Sequence, residues 1–282
     1  MFKIDENGKL LRNGKPVRRV MSQNTGGPFS EKISTTVIHY TNGGSAISSA
    51  EWFRNPENKS KSSAHVVVDR DGEVIQCVDF NNRANHAGPS FWRGRSGLNA
   101  WSFGIELSNW GYLKNQSGLW MTWTGKIIPT PVMAIHKNGN PDGSKDLVGW
   151  EPYPSVQLEA AAGIVQALKS TYGPQEIVGH DDIAPGRKWD PGPAFDMAHF
   201  RDLAVEDASG EGNGLIKVAT PGDTLNLRKG PGIQYDVIIT LADGTLMQPM
   251  EIQSNWAHVN VLNGEFQAVK SGWVNSRMTI PA

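Results

Sequence analysis

The hydrophobic pattern of this chain changes period several times along its length. The run TTVIHY (35–40) is β-branched and apolar and predicts a buried strand. Behind it, TNGGSAISSAEWFRN offers a glycine turn, a serine able to cap, and a short helix. The segment AHVVVDRDGEVIQCVDF (64–80) predicts a hairpin, turning at Asp71-Gly72 between two β-rich runs. WSFGIELSN (101–109) alternates and predicts another strand. The clearest helix is PSVQLEAAAGIVQALKSTYGP (154–174). Ala161, Val165, Leu168 and Tyr172 fall on one stripe, Pro154-Ser155 opens it, and Gly173-Pro174 stops it. EIVGH (176–180) is a short strand. This alternation predicts an α/β domain over residues 1–205, a mixed central β-sheet flanked by helices. Residues 111–150, with NQSG, PTP and NGNPDGS, read as a long loop that is functional or partly ordered.

The texture changes after EDASGEGNG, a small, polar, Gly-rich stretch that marks a linker over 206–213. From 214 to 282 the segments LIKVAT, TLNLR, VIITL, LMQPMEIQ, WAHVNVL and SGWVNS are short strands separated by turns. They predict a second, small all-β barrel with no long helix.

Composition narrows the function. Of 282 residues, 38% are hydrophobic and 20% charged, enough apolar material for real cores. The 27 basic and 28 acidic residues leave a formal net charge of -1, so nothing suggests a nucleic-acid partner. A single cysteine, Cys77, excludes an intrachain disulfide and a cysteine-rich metal site. The N-terminal MFKIDENGKLLRNGKPVRRV has no apolar run of signal-peptide length, and no membrane span is expected. The expected chain is made in the cytoplasm. Ten tryptophans exceed what a core of this size needs, and some are expected on a binding surface.

Candidate chemistry concentrates in GHDDIAPGRKWDPGPAF (179–195). His180 ends a predicted strand and Asp190 follows ten positions later. Pro185, Gly186, Pro191 and Gly192 give the stretch the stiffness to aim both side chains at one ion. Zinc takes imidazole nitrogen and carboxylate oxygen, commonly from three protein groups with a further position open. His39, where the first buried strand meets a glycine turn, is the best third ligand.

These segments carry a resemblance. VIHYT, SAHVVVDRDGEVIQCV, NHAG, FGIEL and GHDDIAPGRKWDPGPAF, spread over about residues 33–200, resemble the type 2 N-acetylmuramoyl-L-alanine amidases, zinc enzymes related to the peptidoglycan-recognition proteins. The last motif is long and specific. The resemblance implies that His39, His180 and Asp190 hold zinc, that Glu106 is the catalytic acid/base, and that Lys188 faces the substrate oxygen. The substrate it implies is peptidoglycan or its muropeptides, cut between N-acetylmuramic acid and L-alanine. The tail, through LNLRKGPG and SGWVNS, resembles bacterial SH3 domains, for which cell-wall binding is expected.

Other residues stay open at this level. His65, alternating with Val67, and His86, in NHAGPSFW, either line the substrate cleft or pack within the domain. Trp110, Trp120 and Trp123 border the 111–150 segment and either grip substrate or pin that segment down. Asp181 and Asp182 read as turn formers, and His136, His199 and His258 as structural or exposed. Three functions compete: a wall-cutting zinc amidase, a non-catalytic muropeptide binder, and a cytosolic recycling amidase. The complete ligand set with Glu106 and Lys188 favours an enzyme, and the second domain favours a wall polymer. A wall substrate without a signal peptide would require release of the phage-lysin type, or delivery as an antibacterial effector by a secretion system.

Overall fold

The computed structural model describes residues 1–205, 215–253, 255–264 and 267–282. The chain divides into two compact units, Met1–Ala208 and Ser209–Ala282. The expected linker, 206–213, lies outside the described residues.

The first unit is built on a six-stranded mixed sheet. In order across it run Glu176–Gly179, Thr35–Tyr40, Ser102–Leu107, Val66–Val68, Val74–Gln76 and Arg18–Arg19. The first four are mutually parallel, and Val66–Val68 and Val74–Gln76 form the antiparallel hairpin read at Asp71-Gly72. Alternation sorts each strand between two faces. Ile38, Val66, Val68, Phe103, Ile105 and Leu107 pack with Ala161, Ile164, Val165 and Leu168 of the helix Ser155–Tyr172. Each such fully buried Val, Leu, Ile or Phe side chain contributes roughly 1.5–3 kcal/mol. Behind the other face, Val67, Ile75 and Cys77 meet Ala46, Ala50 and Phe53 of the helix Ala46–Arg54. Ser45 caps that helix, its side chain accepting from the Ser48 N–H.

Residues 111–150 depart from the loop expectation. They form a four-stranded antiparallel sheet, in the order Leu119–Met121, Tyr112–Gln116, Val148–Trp150, Val132–Ala134. Most of these strands are three residues long, too short to show a period. The pairing that stabilises them joins segments up to 38 residues apart, Tyr112 opposite Trp150. A short helix, Met197–Leu203, capped by Asp196, follows the segment from His180 to Asp190.

The described residues of the second unit form a seven-stranded antiparallel sheet with its own core, which includes Leu225, Leu227, Leu241, Met247, Val259 and Val274. Strand Trp256–Leu262 alternates strictly, with Ala257, Val259 and Val261 buried. Among the described residues of the chain, no helix is long and apolar enough to cross a membrane.

Candidate metal centre

Strand parity and register place the site. On Thr35–Tyr40, the residues Val37 and His39 point away from the Ser155–Tyr172 helix, and on Ser102–Leu107 so do Gly104 and Glu106. The parallel register sets Glu106 opposite His39 and Gly104 opposite Val37. One strand over, Glu176–Gly179 runs into a single helical turn, His180–Ile183. His39, Glu106 and His180 therefore gather at the carboxyl ends of three parallel strands, where open α/β sheets bind ligands.

The loop from His180 to Asp190 closes on itself, the Asp181 N–H donating to the Asp190 carbonyl at 2.8 Å. His39 Nδ1, His180 Nδ1 and Asp190 Oδ2 then form a triangle with every edge 2.9 Å. All three residues are buried. The outer hydrogen bonds fix the proton positions. His180 Nε2 lies 3.0 Å from the Ala87 carbonyl, which only accepts, and 3.4 Å from the Arg187 guanidinium, which only donates; the shorter contact puts the proton on Nε2 and leaves Nδ1 bare. The Ser102 hydroxyl spends its proton on the Leu98 carbonyl at 2.6 Å and accepts from His86 Nε2 at 3.2 Å. His86 Nδ1 must then accept from His39 Nε2 at 3.0 Å, which leaves His39 Nδ1 bare too. With neutral rings, no hydrogen remains for any edge of the triangle. Two imidazole lone pairs and a carboxylate oxygen face one another with nothing between them, an arrangement that calls for a cation.

The donor set fits one. Atoms 2.9 Å apart lie within the reach of a single ion bound at about 2.0–2.2 Å to each. Two nitrogens and one oxygen without thiolate suit borderline transition metals, zinc among them. The electrostatics agree with a neutral His39 ring beside a charged Asp190 carboxylate. Burial and the neighbouring His180 pull His39 down to about 4, against a partial lift from Asp190. Burial alone would raise Asp190, but His180 and His39 beside it hold its carboxyl well below the usual carboxylate range.

Glu106 is half-buried, and its Oε2 is buried with no hydrogen-bond partner. Burial, then repulsion from Asp190, pushes it up to about 8, with Lys188 pulling the other way. Lys188 is half-buried and its charge also acts on His39. An unpaired carboxyl tuned towards neutrality beside a metal-ready triangle is equipped to move protons.

The remaining candidates separate. His86 faces the candidate ligand His39 and orients it. Its ring occupies the space a side chain at Gly104 would need, since a Cβ there would lie 2.4 Å from it. His65 does not face the cleft. It is fully buried, accepts from the Gly104 N–H at Nδ1 and donates from Nε2 to the Asn82 carbonyl, both at 3.0 Å, and stacks on Phe80. Trp110 is 8% exposed and packs against Leu113, Ile128 and Trp120, so it supports rather than presents a surface. Sequence reasoning missed the partner of Asp181. His136 donates from Nε2 to Asp181 at 3.1 Å, both buried, and Lys137 bridges Asp181 and Asp182. Asp182 also accepts from the Gly179 N–H at 2.8 Å. The signal, HKN (136–138), lay inside the segment read as loop.

The family described as N-acetylmuramoyl-L-alanine amidase matches residues 29–193. The chain is similar to 1,6-anhydro-N-acetylmuramyl-L-alanine amidase AmpD of Escherichia coli (strain K12), 34% identical over 149 residues, 52% of this chain and 61% of that protein. It is also similar to N-acetylmuramoyl-L-alanine amidase AmiD of the same strain, 31% identical over 172 residues, 58% of this chain and 50% of that protein. A crystal structure of a selenomethionine AmpD derivative aligns with a TM-score of 0.48 at 28% identity, covering 71% of this chain and 98% of that one. The chain thus spans about three fifths of the length of AmpD and half that of AmiD. The family match covers more than half of the 282 residues and contains His39, Glu106, His180, Lys188 and Asp190; the chain belongs to the N-acetylmuramoyl-L-alanine amidase family.

Proposed function

We propose that this chain is a zinc-dependent amidase that cuts the bond between N-acetylmuramic acid and the L-alanine of a peptidoglycan stem peptide. The observation that carries the proposal is the unpartnered Glu106 carboxyl set opposite His39 of the three-ligand triangle. His39, His180 and Asp190 hold the metal. When bound, zinc supplies Lewis-acid polarisation and lowers the pKa of water to about 7. Glu106 takes the proton of the attacking water and passes it to the departing amide nitrogen. Burial raises Glu106 to about 8 in the metal-free protein, and a cation held by the triangle would draw it back towards neutral pH, where it can both take and give a proton. Lys188 sets a positive charge where the carbonyl oxygen becomes negative. His86 and the Ala87 carbonyl keep the two ligand rings in the tautomer that offers Nδ1.

The second unit, with its antiparallel sheet, serves in this proposal as an SH3-like module that holds the enzyme on the cell wall. A second reading has its own support. AmpD is named a 1,6-anhydro-N-acetylmuramyl-L-alanine amidase, which favours a soluble anhydro-muropeptide as substrate. A non-catalytic binder fits poorly, because such a protein has no use for a buried, unpaired carboxyl beside the ligands.

Purified sacculi and soluble anhydro-muropeptides, digested by zinc-loaded and by chelated protein, test the proposal by mass analysis of the products. The expected products are intact saccharide and free peptides that begin with L-alanine, from the zinc-loaded protein alone. Cleavage at another bond, or none at full zinc occupancy, would overturn it. Release from sacculi favours the wall enzyme; release from the soluble substrate alone favours recycling.

A further inference from the structure

The sheet over residues 112–150 contributes no metal ligand and neither Glu106 nor Lys188. It does carry an aromatic group fixed in place and left open. Trp123 sits in the turn Thr122–Lys126, where the Gly125 N–H donates to the Thr122 carbonyl at 2.9 Å and the Lys126 N–H to the Thr122 hydroxyl at 3.1 Å. The tryptophan is 65% exposed. A side chain that exposed is ordinarily free to change rotamer. This one is held twice. Its Nε1–H donates to the Asn42 carbonyl at 2.9 Å, and Trp110 meets it edge-on, ring centroids 5.9 Å apart at 76°. Trp110 is in turn locked by its own packing, and the chain passes close over it at Gly44, where a Cβ would lie 3.1 Å from the ring.

The anchor point gives this indole its significance. Asn42 follows the ligand His39 by three positions, on the loop leaving the carboxyl end of its strand. That is the edge of the sheet at which Glu106 and His180 also stand. Trp123 is therefore fastened to the rim of the metal site.

The charge around it selects what it can hold. A muropeptide has a neutral saccharide half, whose pyranose rings expose apolar C–H faces, and a peptide half that carries carboxylates. The two groups that hold Trp123, the Asn42 carbonyl and the Trp110 ring, are uncharged, and the charges at its anchoring loop, Arg70 on the Gly43 and Gly44 carbonyls and Glu151 on the Trp110 N–H, are paired with each other. The cations of the site, Arg187 and Lys188, belong to the metal-ligand loop instead, with Arg187 donating to the carbonyls of Ala87 and Pro89. A rigid indole with one wet face matches the apolar side of a sugar ring whose hydroxyl and acetamido groups stay in water.

We propose that Trp123 is the platform of a sugar subsite, stacking an N-acetylated pyranose on the saccharide side of the scissile bond. The proposal rests on the amidase reading above and goes beyond it by assigning a residue to the glycan.

The test uses the full-length, zinc-loaded protein and two substrates. One is a disaccharide muropeptide; the other is a lactoyl-L-alanyl peptide with the same amide but no pyranose. Trp123→Ala should raise KM for the muropeptide about tenfold with kcat nearly unchanged, the loss of one anchoring aromatic contact. It should leave the sugar-free substrate unaffected. Trp123→Phe keeps an aromatic face and should recover most of the affinity. A W123A protein that treats both substrates as wild type does, or one that loses kcat equally on both, overturns the platform. So does a folded W123F no better than W123A. Calorimetric titration of the zinc-free protein with the N-acetylglucosaminyl–N-acetylmuramic disaccharide needs no hydrolysis. Binding that depends on Trp123 without any amidase activity would uphold the subsite and refute the amidase. Normal hydrolysis with sugar binding indifferent to Trp123 would do the reverse.

Discussion

Replacing Glu106 by glutamine should stop the reaction and, in the metal-free protein, make the fold more stable. The two effects have one cause. Folding places this carboxyl where charge is unfavourable, raising it from 4.5 to about 8, chiefly by burial. A rise of roughly 3.5 in pKa, at about 1.36 kcal/mol for each whole step, sets an upper bound near 5 kcal/mol. Relaxation and water reaching a half-buried group reduce this to roughly 2–3 kcal/mol. The sign follows from proton counts. Below about pH 4.5 the carboxyl is protonated in both folded and unfolded chains, and Glu and Gln stand level. Between about 4.5 and about 8 the unfolded chain has released its proton and the folded chain retains it, so wild-type stability falls as pH rises. Above that window the full penalty applies. The glutamine amide of the variant never charges and escapes it.

For a unit of this size, 1 kcal/mol corresponds to about 2–4 °C in Tm. Chelator-treated Glu106→Gln should therefore melt about 5–10 °C above wild type at pH 9 and level with it near pH 4. Calorimetric scans of both proteins across that range measure the difference directly. The zinc-loaded variant should hold its metal while hydrolysis falls by about 10²–10⁴. A difference in Tm that does not change with pH would mean that Glu106 titrates alike in the folded and unfolded chains, and a variant less stable at pH 9 would mean that Glu106 is ionised and partnered in the folded protein. The proton-transfer role would then lose its physical basis.

Further expectations concern the metal, its support and the second unit. Wild type should bind about one zinc per chain and His180→Ala almost none; unchanged metal content in that variant would remove it from the ligand set. Because His39 is lowered to about 4, mainly by burial, the stability of its neutral ring is present above about 6.5 and lost as pH falls towards 4. Metal occupancy measured by equilibrium dialysis should thus persist below pH 6.5, where a free histidine would already be protonated, and half-loss at 6.5 would contradict the buried site. His136→Ala strips a buried partner from Asp181 and should cost roughly 2–4 kcal/mol in urea unfolding and speed zinc release to a chelator, with His136→Gln milder. A protein reduced to residues 1–208 should cut soluble muropeptides at near the full rate and sacculi up to about 10²-fold more slowly; equal loss on both substrates would tie the second unit to the active fold.

What could be read from the sequence depended on whether a residue stood inside a ladder. His39 and Glu106 do: both are inside strands whose alternation is plain, and parallel pairing carries them to one face side by side. His180 and Asp190 were legible for a different reason, since prolines and glycines leave the intervening loop few ways to close. The same alternation failed at His65. It stands one position before the ladder of Val66–Val68 begins, and its ring is taken by the Gly104 N–H and the Asn82 carbonyl instead of pointing where parity with Val67 would send it. The 112–150 sheet failed for lack of length. Its strands hold too few residues to declare a period, and what fixes them is contact with distant chain: Trp110 on Leu113 and Ile128, Asn138 donating to the Asp181 carbonyl at 2.7 Å, Trp189 donating to the Gly139 carbonyl at 3.0 Å. Those last two bonds join the segment to the metal-ligand loop at both its ends. The candidate ligands are thus placed by local strand geometry, while the loop that carries two of them, His180 and Asp190, is braced by a segment whose structure exists only in tertiary contact. Substitutions in the strands should therefore act on which ligands are present, and substitutions in the 112–150 sheet on how firmly they stay in place.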